Sequence, residues 1–175
     1  MYFNSFPVIL YDSKGDDNFK IVTNLLRRVA IRTKVKANTA LFDTYEVKDG
    51  DSPESIAWSL YGDVDYHWIV LLMNDITDRY HDWPLTTPQF ISFLNEKYSD
   101  PEGTHHYEIS QTSGETKIKI NIGDSNTDYP AATDITNFEY EESEQDIKRQ
   151  IRLLDPSYVG QFTEAFKSLM AESSI

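Results

Sequence analysis

The sequence predicts an α+β protein, and three observations lead to that prediction. Apolar residues make up 39% of the 175 residues and aromatic residues 13%, which is too much for a disordered chain. Period-two alternation, typical of strands, occurs near the N-terminus and around residues 107–120. Apolar residues at helical spacing, with start and stop signals, occupy much of the remainder. We therefore expect several short strands and helices rather than one repeated motif.

The charge of the chain excludes some classes of partner. Lys and Arg number 16 against 29 Asp and Glu, which leaves a formal charge of −13. An acidic surface repels the phosphate backbone of nucleic acids and the headgroups of anionic lipids. No apolar run approaches the roughly 20 residues that span a bilayer. We therefore expect neither nucleic acid nor membrane as a partner.

The first segment, residues 1–43, predicts an N-terminal arm and one helix. Phe6, Val8 and Leu10 alternate with period two, which favours a short strand or an extended arm. Residues 15–18 form a turn signal. One apolar helical face is then predicted from Ile21, Val22, Leu25, Leu26 and Val29.

A basic cluster follows that predicted helix and is unusual in so acidic a chain. It consists of Arg27, Arg28, Arg32, Lys34 and Lys36. Cations at a helix C-terminus complement the helix dipole, and we favour this interpretation for Arg27 and Arg28. The alternative is a docking site for an acidic partner surface, and it stays open for the other three.

The second segment, residues 44–98, carries the clearest local signals. A strand at 44–47 leads into a turn with Gly50, and Ser52 with Pro53 is a strong helix start. Gly62 stands where a C-cap glycine belongs, and a second helix follows. The inward residues of these two helices are Ile56, Ala57, Leu60, Ile69, Leu72 and Met73. A third helix is expected to begin at Thr87-Pro88.

The last two segments predict a β-hairpin and a helical pair. In residues 99–136, alternation at 107–109 and 117–120 flanks the turn signal Thr112-Ser113-Gly114-Glu115. In residues 137–175, Ile147, Ile151 and Leu154 follow helical spacing up to the break at Asp155-Pro156. A second stripe, expected to pack within the chain or on a partner, contains Tyr158, Val159, Phe162, Phe166, Leu169 and Met170.

Motifs that carry chemistry are absent from the sequence. The histidines lack metal-ligand spacing, and His105 and His106 are expected on opposite faces of a strand. Asp124 to Asp128 resembles the start of a calcium loop, but Tyr129 and Ile135 stand where glycine and glutamate are required. There is no cysteine, no phosphate-binding glycine motif and no nucleophile elbow. We therefore expect no catalytic residue, no metal and no cofactor.

Two parts of the chain resemble a known module. Residues 45–57 resemble the opening of a LysM module, and residues 61–63 with 66–74 resemble the variant found in phage tail proteins. The wider chain is similar to the baseplate wedge protein 53 family of contractile-tailed bacteriophages. That similarity rests on the N-terminal arm, the module, residues 82–84, residues 144–151 and the terminal amphipathic helix.

The resemblance implies a fold and a role. The core is expected to be a small LysM-like β-α-α-β unit with the arm and helix, the β-hairpin and the helical pair appended. Members of the family are structural, so no catalytic residue is carried over. The resemblance implies six copies per baseplate, joining wedge subunits to one another and to the central hub. It places the protein in the virion tail baseplate, after assembly in the host cytoplasm.

Two hypotheses about function follow. The first is an assembly protein, since aromatic and Arg side chains anchor many protein interfaces. Packing within the module is the alternative for each aromatic candidate and is favoured for Trp68. The candidate interface residues are Tyr61, Tyr66, Trp68, Trp83, Arg27 and Arg28.

The second hypothesis is a peptidoglycan-binding accessory protein, including one that forms part of a cell-wall hydrolase. Its support is a vestigial glycan groove, with Asp49, Gly50, Asp51 and Ser52 lining one side. Glycan-binding LysM modules, however, have a Pro-Gly turn after the second helix, where this chain has bulky aromatic residues up to Trp83. We therefore expect the groove to be reshaped or filled.

Overall fold

The computed structural model describes residues 2–111 and 118–172, and over these residues the chain forms seven strands and seven helices. Single turns of 3-10 helix lie at Tyr2–Ser5, Thr39–Leu41 and Val64–Tyr66. In chain order the elements are β1 (Val8–Tyr11), β2 (Lys20–Thr23), α1 (Thr33–Lys36), β3 (Phe42–Glu46), α2 (Pro53–Tyr61), α3 (His67–Met73), α4 (Arg79–Asp82), α5 (Thr87–Lys97), β4 (Thr104–Ser110), β5 (Lys119–Asn121), β6 (Thr133–Thr136), α6 (Asn137–Arg149), β7 (Gln150–Leu154) and α7 (Pro156–Glu172). Short helices and small sheets confirm the α+β class.

The chain divides into two compact units. The first unit consists of Met1–Trp83 with Gln150–Ile175, and the second unit is Pro84–Arg149. The second unit is therefore inserted between two parts of the first. These units do not follow the four consecutive segments predicted from sequence, because a strand far along the chain completes the first unit.

The first unit is built on an antiparallel pair of β3 and β7. Five residue pairs join them, from Phe42 opposite Leu154 to Glu46 opposite Gln150. The helices α2 and α3 follow β3, as predicted, but residues 47–98 contain no second strand that could complete a β-α-α-β core within the predicted module. The closing strand, however, follows only after residues 74–149. The LysM-like character of this arrangement stays a prediction.

The helix α2 begins and ends where its local signals predict. Ser52 and Ser55 exchange hydrogen bonds between each side-chain oxygen and the other's backbone amide, at 3.1 Å and 2.9 Å. Pro53 occupies the first turn, where its missing amide has no helical partner. Gly62 ends the helix with φ of 76°, a conformation that costs a glycine little. The inward face of α2 buries Ile56 and Ala57.

Two apolar clusters stabilise the first unit. One lies between α2, α3 and the β3–β7 pair, and it contains Val47, Ile56, Ala57, Val70, Trp83, Ile151 and Leu153. The other joins α3 to α7 and the N-terminal turn, and it contains Phe6, Trp68, Ile69, Met73, Leu154, Val159, Phe166 and Met170. The apolar stripe of α7 therefore packs within its own chain, although Leu169 and Tyr158 remain 53% and 39% exposed.

The predicted N-terminal helix is wrong. Residues 20–23 form β2, which pairs antiparallel with β1 and sets Leu10 opposite Ile21 and Ile9 opposite Val22. Consecutive β-branched residues in β2 favour a strand. The turn between the strands is organised by Asp12, whose carboxylate accepts hydrogen bonds from the backbone amides at 14, 15 and 17. Among residues 24–32 the structure has no helix.

The predicted C-terminal helical pair is wrong in one respect. The helices α6 and α7 are present, but residues 150–154 between them form β7, and α6 and α7 belong to different units. Ile151 and Leu154 are buried in strand positions, whereas Ile147 is 66% exposed on α6. The helical spacing of these three residues was coincidental, because pairing with β3 determines the conformation at 150–154. The break at Asp155-Pro156 is confirmed as the start of α7.

The second unit contains a three-stranded sheet with order β5-β4-β6 and the helices α5 and α6. The predicted hairpin is confirmed by the antiparallel pairing of β4 and β5, while its turn at 112–115 lies outside the described residues. In this unit Glu141 is buried and accepts hydrogen bonds from Lys97 Nζ at 2.6 Å and the Tyr98 hydroxyl at 2.7 Å. These bonds tie α6 to the end of α5.

Asn74 connects α3 to the closing strand of the first unit. Its side-chain nitrogen donates to the carbonyl oxygens of Val70 and Arg152, both at 2.8 Å. Its side-chain oxygen accepts from the Arg152 amide at 2.8 Å. The Asn74 side chain therefore satisfies both backbone groups of Arg152, as the backbone of a neighbouring strand would.

No helix in the described part of the chain is long and apolar enough to cross a membrane.

Replacing Asn74 with alanine tests the hydrogen bonds between its side chain and the Arg152 backbone. Asn74→Ala leaves the amide and carbonyl of Arg152 without their partner, so we expect the free energy of unfolding of the first unit to fall by about 2–3 kcal/mol. Urea unfolding followed by tryptophan fluorescence measures this unit alone, since Trp58, Trp68 and Trp83 all belong to it. The control is Asn18→Ala, at an exposed residue of the same unit. Equal stability of the two variants would contradict the assigned role.

The Glu141 network predicts a pH dependence of the second unit. Burial alone would raise the pKa of Glu141, but the hydrogen bonds from Lys97 and Tyr98 and the Lys97 charge outweigh it and hold the pKa below the ordinary 4.5. A lowered pKa contributes stability above pH 4.5 that is lost as the pH falls through the lowered value.

We therefore expect Glu141→Gln to be less stable than the wild type by about 1–3 kcal/mol at pH 7 and by a smaller amount at pH 3. Urea unfolding followed by the NMR signals of His105 and His106, both in the second unit, measures the difference. Glu142→Gln, at an exposed neighbour, is the control. If the wild type and Glu141→Gln differed in stability by the same amount at both pH values, the assigned role of the Glu141 carboxylate would be contradicted.

Candidate protein interface

The loop predicted to line a glycan groove is bonded within its own unit. The Asp51 carboxylate accepts hydrogen bonds from the Tyr45 hydroxyl at 2.8 Å and the Lys48 amide at 3.0 Å. The first of these bonds raises the pKa of Tyr45. Ser52 is engaged in capping α2, while Asp49 and Gly50 are exposed at the tip. The polar groups of Asp51 and Ser52 are thus committed to local structure.

Trp83 covers this loop from the inside of the unit. Its indole nitrogen donates to the Asp51 carbonyl oxygen at 3.0 Å. The side chain is 8% exposed and belongs to the cluster between α2 and the β3–β7 pair. The expectation that a bulky residue after the second helix reaches the groove region is consistent with this contact. Trp83 is a core residue of the free chain rather than an exposed anchor.

The other three aromatic candidates also contribute to the core. Trp68 is 8% exposed, with its ring centroid 4.8 Å from that of Phe166 and 5.1 Å from that of Tyr2. Tyr61 donates its hydroxyl to the Leu154 carbonyl oxygen at 3.1 Å, and burial raises its pKa to about 12. Tyr66 is half-buried, edge-on to Tyr61. The packing alternative therefore describes all four better than an exposed interface does.

Arg27 and Arg28 are the two candidates that lie on the surface of the first unit. They are not helix C-terminal cations, because residues 24–32 contain no helix. That favoured interpretation is therefore wrong, and their role as interface residues stays a prediction.

A larger exposed feature, which the sequence interpretation missed, precedes them. We call it the hairpin surface, and it consists of Val8, Leu10, Ile21, Leu25 and Leu26. These side chains are between 64% and 87% exposed. A two-stranded hairpin buries little of its own apolar surface. The signals that could have revealed it are the turn at residues 15–18 and the consecutive β-branched residues Ile21, Val22 and Thr23 that follow it.

The first unit also contains a groove. Its volume is about 530 Å³, and its lining includes Tyr2, Phe3, Arg28, Trp68, Leu72 and Ile76. It is therefore mainly apolar, with a guanidinium among its polar groups. Arg28 and Trp68, two of the predicted anchors, are brought together here, whereas Trp83 lies elsewhere.

His105 and His106 differ from the sequence interpretation. Their Nδ1 atoms lie 2.8 Å apart, so the two side chains meet rather than lying on opposite faces. A register irregularity between Thr104 and His106 in the pairing of β4 with β6 accounts for this. Within the described residues, no group of three or more His, Cys, Asp or Glu could hold a metal ion.

Comparison with known proteins gives two matches. A family model described as base plate wedge protein 53 matches residues 1–169. The baseplate wedge protein gp53 of Enterobacteria phage T4 is 23% identical over 145 residues, which cover 74% of each chain. The family match includes the hairpin surface, both units and nearly all of α7.

The role of Trp83 in the loop is testable. Trp83→Phe removes the donor to the Asp51 carbonyl oxygen and leaves a small cavity. We therefore expect the free energy of unfolding to fall by about 1–3 kcal/mol. Trp58→Phe is the matched control, because Trp58 is 63% exposed. Urea unfolding followed by far-UV circular dichroism measures both. A loss for Trp58→Phe as large as that for Trp83→Phe would contradict the assignment.

Proposed function

The chain belongs to the base plate wedge protein 53 family, and from this membership we propose that it joins wedge subunits to one another and to the central hub of a phage tail baseplate. The contacts are between proteins, and the chain has a structural rather than a catalytic role. Six copies per baseplate, and assembly in the host cytoplasm before the protein enters the virion tail, are part of the same proposal.

The observation that carries the proposal is the hairpin surface. Leu10 and Ile21 face each other across the hairpin and are 67% and 73% exposed, and Leu26 is 87% exposed. Scattered apolar residues are ordinary on a protein surface, but a contiguous apolar patch marks an interaction site. A partner that covers this patch would explain why it is apolar.

The energy available from such burial suits an assembly contact. Burying an aliphatic side chain of this size contributes about 1.5–3 kcal/mol. Several such side chains offset the free-energy cost of fixing two proteins together, which is at least about 4 kcal/mol. The hairpin itself also gains, since an isolated pair of strands is marginally stable in water. The partner and the hairpin then stabilise each other.

The peptidoglycan-binding alternative is not favoured. A glycan site needs free hydrogen-bonding groups and aromatic faces that a sugar can reach. Here Asp51 and Ser52 are bonded within the unit, and Trp83 and Trp68 are each 8% exposed. These contacts support a protein-binding rather than a sugar-binding role.

The double variant Leu10→Thr with Ile21→Thr tests the proposal. Threonine is favourable in strands, so the hairpin is retained while two apolar side chains are lost from the hairpin surface. The variant is supplied to a phage that lacks a working copy of the gene. We expect the amount of this chain in purified tails, measured by quantitative mass spectrometry, to fall at least about tenfold.

The control is Ile91→Thr, a change of the same kind at a residue that is 45% exposed on α5. It is expected to enter tails at close to the wild-type amount. Circular dichroism and sedimentation of the purified variants establish that both are folded. Normal incorporation of the double variant would contradict the role of the hairpin surface, and absence of the wild-type chain from tails would contradict the proposed function itself.

A further inference from the structure

We propose that the basic segment, residues 27–34, docks together with the hairpin surface on an acidic surface of a different baseplate protein. Carboxylates of that partner pair with Arg28, Arg32 and Lys34, while its apolar centre covers Leu10 and Ile21. This inference rests on the proposed function, and it specifies the chemistry of the partner.

The distribution of charge along the chain supports an acidic partner. Residues 18–42 contain six basic residues and no Asp or Glu, so all 29 acidic residues lie outside this stretch. Arg28, Arg32 and Lys34 are exposed, so this segment is positively charged in a protein whose formal charge is −13. A positive patch of this kind steers a negative surface toward it.

The segment is held in place by its own unit. Val29 and Ile31 are half-buried and pack against the cluster of α3 and α7. Arg28 and Arg32, on either side of them, are exposed. A segment anchored at alternate residues presents its cations with little loss of conformational freedom on binding.

The end of the segment is anchored by polar contacts. Lys36 forms an ion pair with Asp75, and its carbonyl oxygen accepts a hydrogen bond from the Arg152 guanidinium at 3.0 Å. Lys36 is therefore used within the unit, whereas Lys34, two residues earlier, is exposed. Within one turn, Lys36 thus stabilises the unit, and the side chain of Lys34 faces solvent.

A second copy of this chain fits less well than a different protein. A two-fold symmetric contact brings the same patch of both copies together. It would place the positively charged segments of both copies, neither of which contains a carboxylate, in one interface. Nucleic acid is disfavoured because its phosphates would also meet the surrounding acidic surface, and because the adjoining hairpin surface is apolar.

Charge reversal is the first arm of the experiment. Arg28→Glu with Arg32→Glu is compared with Lys48→Glu with Lys167→Glu, which changes the net charge equally at exposed sites outside the segment. Each is supplied to a phage that lacks a working copy of the gene. We expect the first variant to be at least about tenfold less abundant in purified tails than the second.

Zero-length carbodiimide cross-linking of tails that contain the wild-type chain is the second arm. The reagent couples an amine to a carboxylate that it contacts, so we expect Lys34 to be joined to an Asp or Glu of a different tail protein. Cross-links of Lys34 to a second copy, or no intermolecular cross-link together with normal incorporation of Arg28→Glu with Arg32→Glu, would overturn the inference. The presence of the wild-type chain in these tails, measured in the same samples, distinguishes that result from failure of the proposed function.

Discussion

The pairing of β3 with β7 is the constraint on which the rest of the first unit depends. It joins residues 42–46 to residues 150–154 and brings the start of α7 against the core. Three further contacts fasten the same strand: Asn74 binds both backbone groups of Arg152, Tyr61 binds the Leu154 carbonyl, and the Asp155 amide binds the Leu41 carbonyl. Without β7, the apolar faces of α2 and α3 would lack the strand that covers them.

Local signals allowed part of this fold to be predicted from sequence. The bounds of α2 follow from a capping serine, a first-turn proline and Gly62, all of which act within one helix. The N-terminal helix was predicted wrongly because the apolar residues at 21, 22, 25 and 26 fit the helical period, whereas the β-branched residues at 21–23 pair with β1 as a strand. The strand β7 was not predicted, because its partner strand β3 lies more than a hundred residues earlier in the chain and no local pattern identifies the pairing.

The candidate site shows the same limit. Aromatic residues were predicted as interface anchors from their type, but burial depends on the whole unit, which places Trp68 and Trp83 inside. Conversely, Leu10 and Ile21 looked like core residues and are exposed, because the hairpin that contains them has no layer above it within its unit. The basic cluster was visible in the sequence, and its separation into anchored and outward-facing residues required the structure.

The insertion of the second unit has a consequence for biosynthesis. The ribosome completes residues 84–149 before it makes β7, so the second unit has all of its sequence while the first still lacks its closing strand. A product that terminates early therefore has the hairpin but not the finished body that supports it. Contacts between such distant parts of a chain form slowly. A nascent chain that ends before residue 154 lacks the strand that closes the first unit, so the order of synthesis keeps such a truncated chain from presenting the hairpin surface on a finished unit.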